Sequence, residues 1–251
     1  MNKLSDRLNR LSYSQTFVMS NKAREMKAAG IDVISLTLGE PDFDVPANIK
    51  QAAFDAINQN FSHYSPVPGF LELRQAIAKK LKRDNNLDYK PTQICVSNGA
   101  KQSILNVLAA VVNDGDEVIL PAPYWVSYDE MVKMMGGTSV FIETNIDTEF
   151  KMTAEQLEAA ITPKTKVILY SSPCNPSGSY YTKDELEKIA NVVAKYPYVT
   201  IISDEIYEYI NYDGKHTSIA EFPQVYEQTA VINGMSKAFA MTGWRIGYSA
   251  C

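Results

Sequence analysis

The most constraining feature of this 251-residue sequence is an alternation of two patterns from residue 93 onward. Short runs rich in β-branched residues are separated by stretches in which apolar residues recur at helical spacing, as Ile104, Leu105 and Leu108 do. Strands that alternate with helices form βαβ units, whose right-handed crossovers produce a mainly parallel sheet flanked by helices. The sequence therefore predicts an α/β fold. The predicted strands lie in QICVSNG, DEVILPAPYW, GGTSVFIET, KVILYSSPCNPSG, VTIISDEIYEYI, TAVINGMSK and WRIGYSAC.

Two of the intervening helices have recognisable N-termini. In TAEQLEAAI, Thr153 is the predicted N-cap and Gln156 completes a capping box, in which each side chain bonds the other residue's backbone amide. In TKDELEKIANVVAKY, Thr182 is the predicted N-cap. These signals place helices after the third and fourth predicted strands.

Composition and charge argue against several classes of function. A net charge of −5 provides no basic surface, so we expect no nucleic-acid partner. No apolar run reaches membrane-spanning length, and the N-terminal MNKLSDRLNRLSYSQ lacks the apolar core of a secretory signal. Three scattered cysteines, Cys95, Cys174 and Cys251, favour a reducing cytoplasm over a disulfide framework. His63 and His216 are far apart and no Cys/His cluster indicates zinc, so both are expected to be ordinary surface or loop residues.

Parallel sheets bind ligands beyond the carboxyl ends of their strands, so the polar residues that follow each predicted strand are the candidate site. After the first strand, Gly99 permits a tight turn and the amides of Ala100 and Lys101 begin a helix, a place that suits a phosphate. Taken alone, a glycine at such a turn often serves packing only. After the second strand, Trp125 is either core filler or a plate on which a flat ring stacks.

Three further stretches carry polar groups. Asn175 lies between two prolines in a rigid turn, from which its amide would point into the same crevice. Asp204 follows a buried strand, with Tyr207 three residues on. A carboxylate there is costly unless a cation pairs with it, although capping a helix is the commoner role of such an aspartate. In MSKAFAMTGWRIGY, Lys237 lies among small residues, where desolvation lowers a lysine pKa and a neutral amine forms Schiff bases. Arg245 offers a forked contact to phosphate.

Together these groups describe a site for a flat, phosphorylated aldehyde that contains a ring nitrogen. Pyridoxal 5′-phosphate (PLP) meets every part of that description. No single residue decides the matter, because each has a common structural role as well. The set of them predicts PLP as the cofactor.

The sequence resembles the class I aminotransferases, which are PLP-dependent enzymes of fold type I, and in particular their aspartate aminotransferase branch. The resemblance covers most of the chain, and its motifs follow in the family's order and spacing. It implies transfer of an amino group between an amino acid, with an aspartate-like substrate favoured, and a 2-oxo acid. The motifs are LTLGEPDFDVP, HYSPVPGFLELRQAIA, SNGAKQ, PAPYWVSY, SSPCNPSG, SDEIYEYI and SKAFAMTGWRIGY.

The resemblance also implies roles for individual residues. Lys237 would bind the cofactor covalently and shuttle a proton during the reaction. Asp204 would pair with the ring nitrogen, while Tyr207 and Asn175 would hold the phenolic oxygen of the ring. Asn175 would also reach the substrate carboxylate, and Trp125 would stack on the ring and contact substrate. The phosphate would be held by one turn and two side chains, namely Gly99, Ala100 and Lys101 with Ser236 and Arg245.

Further roles concern the substrate and the neighbouring subunit. Gly39 would offer its backbone to the substrate carboxylate. Lys101 is either a solvated lysine at a helix start or a cation that reaches a distal substrate carboxylate. Tyr64 would reach the phosphate in a neighbouring subunit, which implies a homodimer with shared active sites.

The resemblance divides the chain into residues 1–45, an N-terminal segment that is part of a small domain, and 46–251, a PLP-binding large domain that is incomplete at its C-terminal end. Family members are longer and take an arginine for the substrate α-carboxylate from a C-terminal small domain. No residue here matches that arginine. We therefore expect the small domain to lie outside this chain, and the 251-residue chain to be a poor transaminase by itself.

Two alternatives share all the cofactor residues. One is a PLP-dependent C–S lyase, because the same cofactor supports either chemistry and the protein selects it by orientation. The other is a non-catalytic fragment that holds the cofactor without turnover, which the unmatched arginine favours.

Overall fold

A computed structural model describes residues 4–214 and 216–251. Its helices are α1 (Asp6–Asn9), α2 (Gln15–Ala28), α3 (Ala47–Asn58), α4 (Leu71–Asn85), α5 (Ala100–Val111), α6 (Ser127–Met134), α7 (Ala154–Ala160) and α8 (Lys183–Val193). Its strands are β1 (Ile94–Ser97), β2 (Glu117–Ala122), β3 (Thr138–Glu143), β4 (Thr165–Ser171), β5 (Thr200–Asp204), β6 (Thr229–Gly234) and β7 (Gly247–Ala250). Short 3-10 helices cover Pro91–Gln93, Ile146–Thr148, Ile219–Glu221 and Pro223–Gln228.

The seven strands form one sheet in the order β1-β7-β6-β5-β4-β2-β3. Strands β2 to β6 pair in parallel, and only β7 runs against its neighbours β1 and β6. The predicted α/β fold with a mainly parallel sheet is confirmed. Parallel pairing brings the ends of β4, β5 and β6 to one edge of the sheet, which is where a ligand crevice forms.

Helices cover both faces of the sheet, so its central strands are buried on each side. One face carries Ile119, Ile168 and Ile201 and packs against α7 and α8. The other face carries residues of alternate register, Leu169 and Ile202 among them, and packs against α5 and α6. The alternation of side chains along a strand explains this division. It also sends consecutive residues at a strand end to opposite faces.

The predicted N-caps are present. Thr153 Oγ1 accepts a hydrogen bond from the Gln156 amide, and Gln156 Oε1 accepts one from the Thr153 amide. Thr182 caps α8 in the same way, with Glu185 as its partner. Local side-chain chemistry therefore fixes where both helices begin.

Two predicted strands end earlier than the sequence pattern suggested. The strand predicted through Ile210 ends at Asp204, because Asp204 Oδ1 accepts a 3.2 Å hydrogen bond from the Ile206 amide and turns the chain away from the sheet. The strand predicted through Lys237 ends at Gly234. Residues that look strand-like after these points instead form turns beside the crevice.

His216, expected at the surface or in a loop, lies in a loop but is buried, with 9% of its surface exposed. Its burial is explained by its contact with the Glu205 carboxylate, whose Oε2 lies 3.0 Å from His216 Nε2. Across the described residues, no helix combines the length and apolarity needed to cross a membrane. The proposed division of the chain near residue 45 stays a prediction.

Candidate active site

The turn between β1 and α5 forms an anion cradle. The first amides of a helix have no partner within that helix, so those of Ala100 and Lys101 at the start of α5 are available to an anion. Arg245 lies against this turn, where its Nη2 donates to the Asn98 carbonyl at 3.3 Å. Its Nη1 donates to Ser236 Oγ at 3.3 Å and to the Thr242 carbonyl at 2.8 Å. The predicted phosphate-binding groups are thus neighbours in the structure.

Two glycines let the elements of the cradle approach each other. Gly99 has φ +88°, and a Cβ there would lie 2.0 Å from Arg245 Nη2. A Cβ on Gly247 of β7 would lie 2.2 Å from the Ala100 nitrogen. Neither position has room for a side chain. Sequence reasoning identified Gly99 from its place at a turn but missed Gly247, because its neighbour is more than 140 residues away.

Asp204 lies at the end of β5 and is 3% exposed. Its Oδ2 accepts a 2.6 Å hydrogen bond from the Tyr128 hydroxyl, and its Oδ1 accepts from the Ile206 amide at 3.2 Å. Burial raises the Asp204 pKa to about 6, although both hydrogen bonds oppose the shift. No Lys, Arg or His of the described residues forms an ion pair with this carboxylate. The site therefore has a buried anion that can pair with a cationic ligand group.

A second cluster brings together Asn175, Tyr207 and Lys237. Asn175 Nδ2 donates to the Tyr207 hydroxyl at 3.5 Å, and Lys237 Nζ lies 5.8 Å from the centroid of the Tyr207 ring. Desolvation lowers the Lys237 pKa, and the nearby Arg245 lowers it further, while Glu40 raises it. A lysine with a lowered pKa is more often neutral, which is the form that acts as nucleophile or base.

Lys237 also contacts the predicted substrate loop. Its Nζ donates a 2.6 Å hydrogen bond to the Gly39 carbonyl, and Thr242 Oγ1 donates to Glu40 Oε1 at 2.5 Å. These contacts join residues separated by about 200 positions. The segment around Gly39 therefore forms one wall of the crevice.

Trp125 and Lys101 form the remaining wall. The Lys101 Nζ lies 4.7 Å above the Trp125 ring, and desolvation followed by Arg245 lowers the Lys101 pKa. Trp125 in turn meets Tyr128 edge-on, with ring centroids 5.5 Å apart and an angle of 89° between the planes. The Tyr128 hydroxyl donates a hydrogen bond to Asp204. The contact between Trp125 and Tyr128 therefore connects the proposed stacking surface for the cofactor ring to the buried carboxylate.

Sequence reasoning missed Tyr128 as a site residue. It sits three residues after Trp125 at the start of α6, which was not predicted, and its partner Asp204 is 76 residues further along the chain. An aromatic pair at i and i+3 on a helix start is the one local signal that could have drawn attention to it.

Tyr64 is the predicted site residue that the structure does not bring to the crevice. Its side chain is fully exposed and forms no hydrogen bond to the described residues. An exposed tyrosine is compatible with a contact to another subunit and carries no role within one chain.

The crevice fits PLP on its own geometry. The cradle at Gly99 suits a phosphate, because it offers free amides, the Arg245 guanidinium and the Ser236 hydroxyl. A side chain at position 99 would collide with that guanidinium. Asp204 suits a protonated ring nitrogen, because a buried carboxylate gains most from a cation. Lys237 suits an aldehyde, since its amine lies in the same crevice with a lowered pKa.

The fold and this crevice define an α/β protein with a candidate PLP site, and a comparison with known families gives the assignment. The sequence profile of aminotransferase class I and II matches residues 31–251, so the chain belongs to that family.

Relatives of known name agree with this assignment. The chain is 52% identical over 249 residues to a probable aspartate/prephenate aminotransferase of Rhizobium leguminosarum bv. phaseoli, covering 98% of this chain and 62% of the relative. It is 51% identical over 249 residues to an aspartate aminotransferase of Bacillus sp. (strain YM-2), covering 98% and 63%. The structure of aspartate aminotransferase from Thermus thermophilus with maleate superposes with a TM-score of 0.96 at 43% identity, covering 100% and 65%. This chain therefore spans slightly less than two thirds of the length of these relatives.

Proposed function

We propose that this chain is the PLP-binding part of an aminotransferase that moves an amino group between an aspartate-like amino acid and a 2-oxo acid. The observation that carries the proposal is the convergence of Lys237, Asp204 and the Arg245 cradle on one crevice. The names of the relatives, which include aspartate and aspartate/prephenate aminotransferases, support it.

Each group of the crevice has a defined task in this proposal. PLP, when bound, supplies an electron-accepting ring that stabilises negative charge at the substrate Cα. Asp204 holds a proton at the ring nitrogen, and the buried position of its carboxylate strengthens that contact. Asn175 and Tyr207 donate to the phenolic oxygen of the ring. The Ala100 and Lys101 amides, Ser236 and Arg245 hold the phosphate.

Lys237 would hold the cofactor covalently and, once the substrate amine has displaced it, its free amine would move a proton at the substrate Cα. Its lowered pKa increases the fraction of neutral amine, which is the form that accepts a proton. To do so, Lys237 Nζ must exchange its contact with the Gly39 carbonyl for substrate. Gly39 and Trp125 then border the space for the substrate, with Asn175 placed to reach its α-carboxylate.

The partner is proposed to be a second copy of the chain, with Tyr64 reaching across to the phosphate of its neighbour. Large apolar side chains between residues 34 and 67 are exposed and fit burial against another protein surface. They include Ile34, Leu36, Phe43, Phe61 and Val67. The cytoplasm is proposed as the location, on the basis of the three scattered cysteines.

The activity is proposed for the whole protein, and the 251-residue chain is proposed to bind PLP but to transfer amino groups poorly. The reason is that no arginine of this chain matches the one that family members use to bind the substrate α-carboxylate. A substrate without that forked partner is held less firmly in the orientation that reaction requires.

The test is covalent labelling of the purified chain. Incubation with PLP and reduction with borohydride should attach the cofactor to a peptide that contains Lys237, and Lys237→Ala should abolish the label. Lys164→Ala, which replaces an exposed lysine remote from the crevice, should label as the wild type does. A label that persists in Lys237→Ala would refute the assignment of the lysine.

A second assay separates the reaction classes. Amino transfer from aspartate to 2-oxoglutarate supports the aminotransferase, whereas release of pyruvate from a cysteine conjugate supports a C–S lyase. Labelling without either activity supports a cofactor-binding part that needs other sequence for turnover.

A further inference from the structure

A buried charged cluster lies directly behind Asp204 on the opposite face of the sheet. Glu205 directly follows the last residue of β5, and its amide still donates to the Ile232 carbonyl of β6 at 2.8 Å. Because neighbouring side chains on a strand point to opposite faces, Asp204 meets Tyr128 of α6 while Glu205 points the other way and meets Ser203, His216 and Ser218. Glu205 is fully buried, with 0% of its surface exposed.

Three donors surround the Glu205 carboxylate. Oε1 accepts from Ser203 Oγ at 3.0 Å and from Ser218 Oγ at 2.6 Å. Oε2 lies 3.0 Å from His216 Nε2, and His216 is itself buried. Ser218 and His216 follow Glu205 by 13 and 11 residues, so these bonds join the two ends of one loop.

A second carboxylate, that of Glu208, ties the same loop to α4. Lys80 Nζ forms an ion pair with Glu208, and Asn85 Nδ2 donates to Glu208 Oε2 at 2.9 Å. The cluster thus holds two buried carboxylates and one lysine. A protonated His216 balances the charge, and a neutral one leaves a buried excess of negative charge.

The surroundings of His216 favour its protonated form. Burial lowers its pKa, but Glu205 and Glu208 raise it more, and Lys80 lowers it slightly, so that the net shift is upward. The other titratable groups that face the cluster are the phenols of Tyr89, Tyr170, Tyr209 and Tyr248 and the carboxyls of Asp84 and Asp204. Burial raises the pKa of each phenol, so all four stay neutral. The contact with Arg83 lowers the pKa of Asp84 to about 2, whereas burial raises that of Asp204 to about 6, so both carboxyls are largely ionised above about pH 7.

The cluster also has the spacing of a metal site, since ligand atoms of Glu205, Glu208 and His216 lie within 4.8 Å of one another. The contacts favour the ion-pair interpretation. Glu208 is already bound by the Lys80 ammonium, and Glu205 accepts from two hydroxyls as well as His216. A metal ion would have to displace the Lys80 ammonium from Glu208.

The loop that this cluster closes begins with the turn that carries Tyr207. Within it, the Glu208 amide donates to the Glu205 carbonyl at 3.0 Å, and the Ile210 amide donates to the Tyr207 carbonyl at 2.8 Å. These turns lie outside the sheet ladder, so side-chain contacts tie them to the core, namely this cluster together with the buried Ile206 and the hydrogen bond from Tyr209 to Asp84. Whatever holds Glu205 and Glu208 therefore holds the backbone of Tyr207 between them.

We propose that Glu205 and His216 are positioning residues, whose buried contact closes this loop and fixes Tyr207 beside Asn175 and Lys237. The significance of Tyr207 for the cofactor rests on the proposed function, whereas the closure of the loop does not. Protonated His216 keeps the loop closed, and loss of its proton as pH rises loosens the loop. A carboxylate and an imidazole on the far face of the sheet thereby control a cofactor contact on the near face.

Hydrogen–deuterium exchange tests the closure without cofactor. Labelling times are scaled for the intrinsic exchange rate, and residues 206–214 are followed from about pH 6 to about pH 9, on both sides of an ordinary histidine pKa. In the wild-type chain, protection of the Glu208 and Ile210 amides should fall as pH rises. In His216→Gln, exchange should be at least about tenfold faster at the low end of the range, with no pH step.

Lys151→Met is the matched control. Lys151 is equally buried and pairs with Glu149 and Glu185, far along the chain from this loop. It should lower overall stability and leave the pH step in residues 206–214 unchanged. If His216→Gln does not fold, the wild-type profile decides, because protection independent of pH would overturn the proposal.

A parallel titration with PLP distinguishes failure of the loop closure from failure of the proposed function. If PLP affinity falls with the same pH step and His216→Gln removes that step, the positioning role is supported. If the loop shows the step but PLP does not bind, the proposed function fails and the closure stands. If PLP binds Lys237 and the loop shows no step, the closure fails and the proposed function stands.

Discussion

The hydroxyl of Tyr128 donates a 2.6 Å hydrogen bond to Asp204 Oδ2, and both side chains are almost fully buried. Burial raises the pKa of the phenol well above its usual range, so Tyr128 remains a neutral donor at all physiological pH values. A hydrogen bond to a buried charged group is worth about 1.5–3 kcal/mol, more than a bond between neutral groups. Tyr128 therefore stabilises the ionised form of Asp204, the form that a cationic ring nitrogen needs.

Tyr128→Phe should weaken PLP binding by roughly tenfold or more, because the Asp204 carboxylate loses one of its two donors. Absorbance titration of the purified variant with PLP measures the change. Tyr124→Phe is the control, since Tyr124 stacks on Phe141 through its ring, which the substitution preserves. Equal affinities of Tyr128→Phe and the wild type would mean that the hydrogen bond has no part in holding the carboxylate.

Asp204→Asn should stabilise the chain without cofactor while weakening its binding of PLP. The folded-state pKa of about 6 exceeds the ordinary value of 3.8, so the folded protein holds the proton more tightly than the unfolded one. Stability from this group is therefore present at low pH and is lost as pH rises from about 4 to about 6. Above about pH 6, the buried charge lowers the free energy of unfolding by about 3 kcal/mol. Asparagine carries no charge and removes the cost.

Urea unfolding at two pH values checks this prediction. The gain of Asp204→Asn over the wild type should be large at neutral pH and should shrink near pH 4, where Asp204 is largely protonated. PLP affinity should fall at neutral pH, because an amide cannot pair with a protonated ring nitrogen. A variant that is less stable than the wild type at neutral pH would show that the carboxylate is stabilising in the empty crevice.

Gly247→Ala should damage both the sheet and the cradle. Its Cβ would lie 2.2 Å from the Ala100 nitrogen and 2.3 Å from the Gly99 carbonyl carbon, and backbone atoms cannot yield as a flexible side chain can. Overpacking of this kind costs about 1–3 kcal/mol, and we expect roughly tenfold weaker PLP binding as the cradle shifts. Gly243→Ala is the control, because its Cβ would meet no atom within 4 Å. Denaturation and PLP titration of the two variants should differ clearly.

Sequence reasoning succeeded where the signal was local. The runs around Val118 and Ile168 are β-branched and buried on both faces, so their strands could be predicted. The capping boxes at Thr153 and Thr182 use side chains three residues apart, and both are present. Asp204, Asn175 and Lys237 could be selected because each follows a strand, and parallel pairing brings such positions together.

It failed where the deciding contact is distant in sequence. The antiparallel course of β7 between β1 and β6 depends on strand pairing that no local pattern encodes. The strand predicted through Ile210 stops at Asp204 because a side chain competes for the Ile206 amide. His216 was expected to be ordinary because its partner, Glu205, was not recognisable as a buried carboxylate from sequence alone.

Lys101→Ser should weaken binding of acidic amino acids and spare neutral ones. The Lys101 ammonium lies 4.7 Å above the Trp125 ring and is exposed to the crevice, where a distal carboxylate could reach it once PLP is bound. A contact of that kind with partial desolvation is worth about 1.4 kcal/mol, or tenfold in affinity. Spectral titration of the PLP-loaded chain with aspartate and with alanine measures the difference and does not require turnover. We expect aspartate affinity to fall about tenfold and alanine affinity to stay within about twofold, the scatter of a neutral surface change. If both amino acids bind less tightly by the same factor, Lys101 supports the phosphate cradle alone, and acidic selectivity must come from another residue.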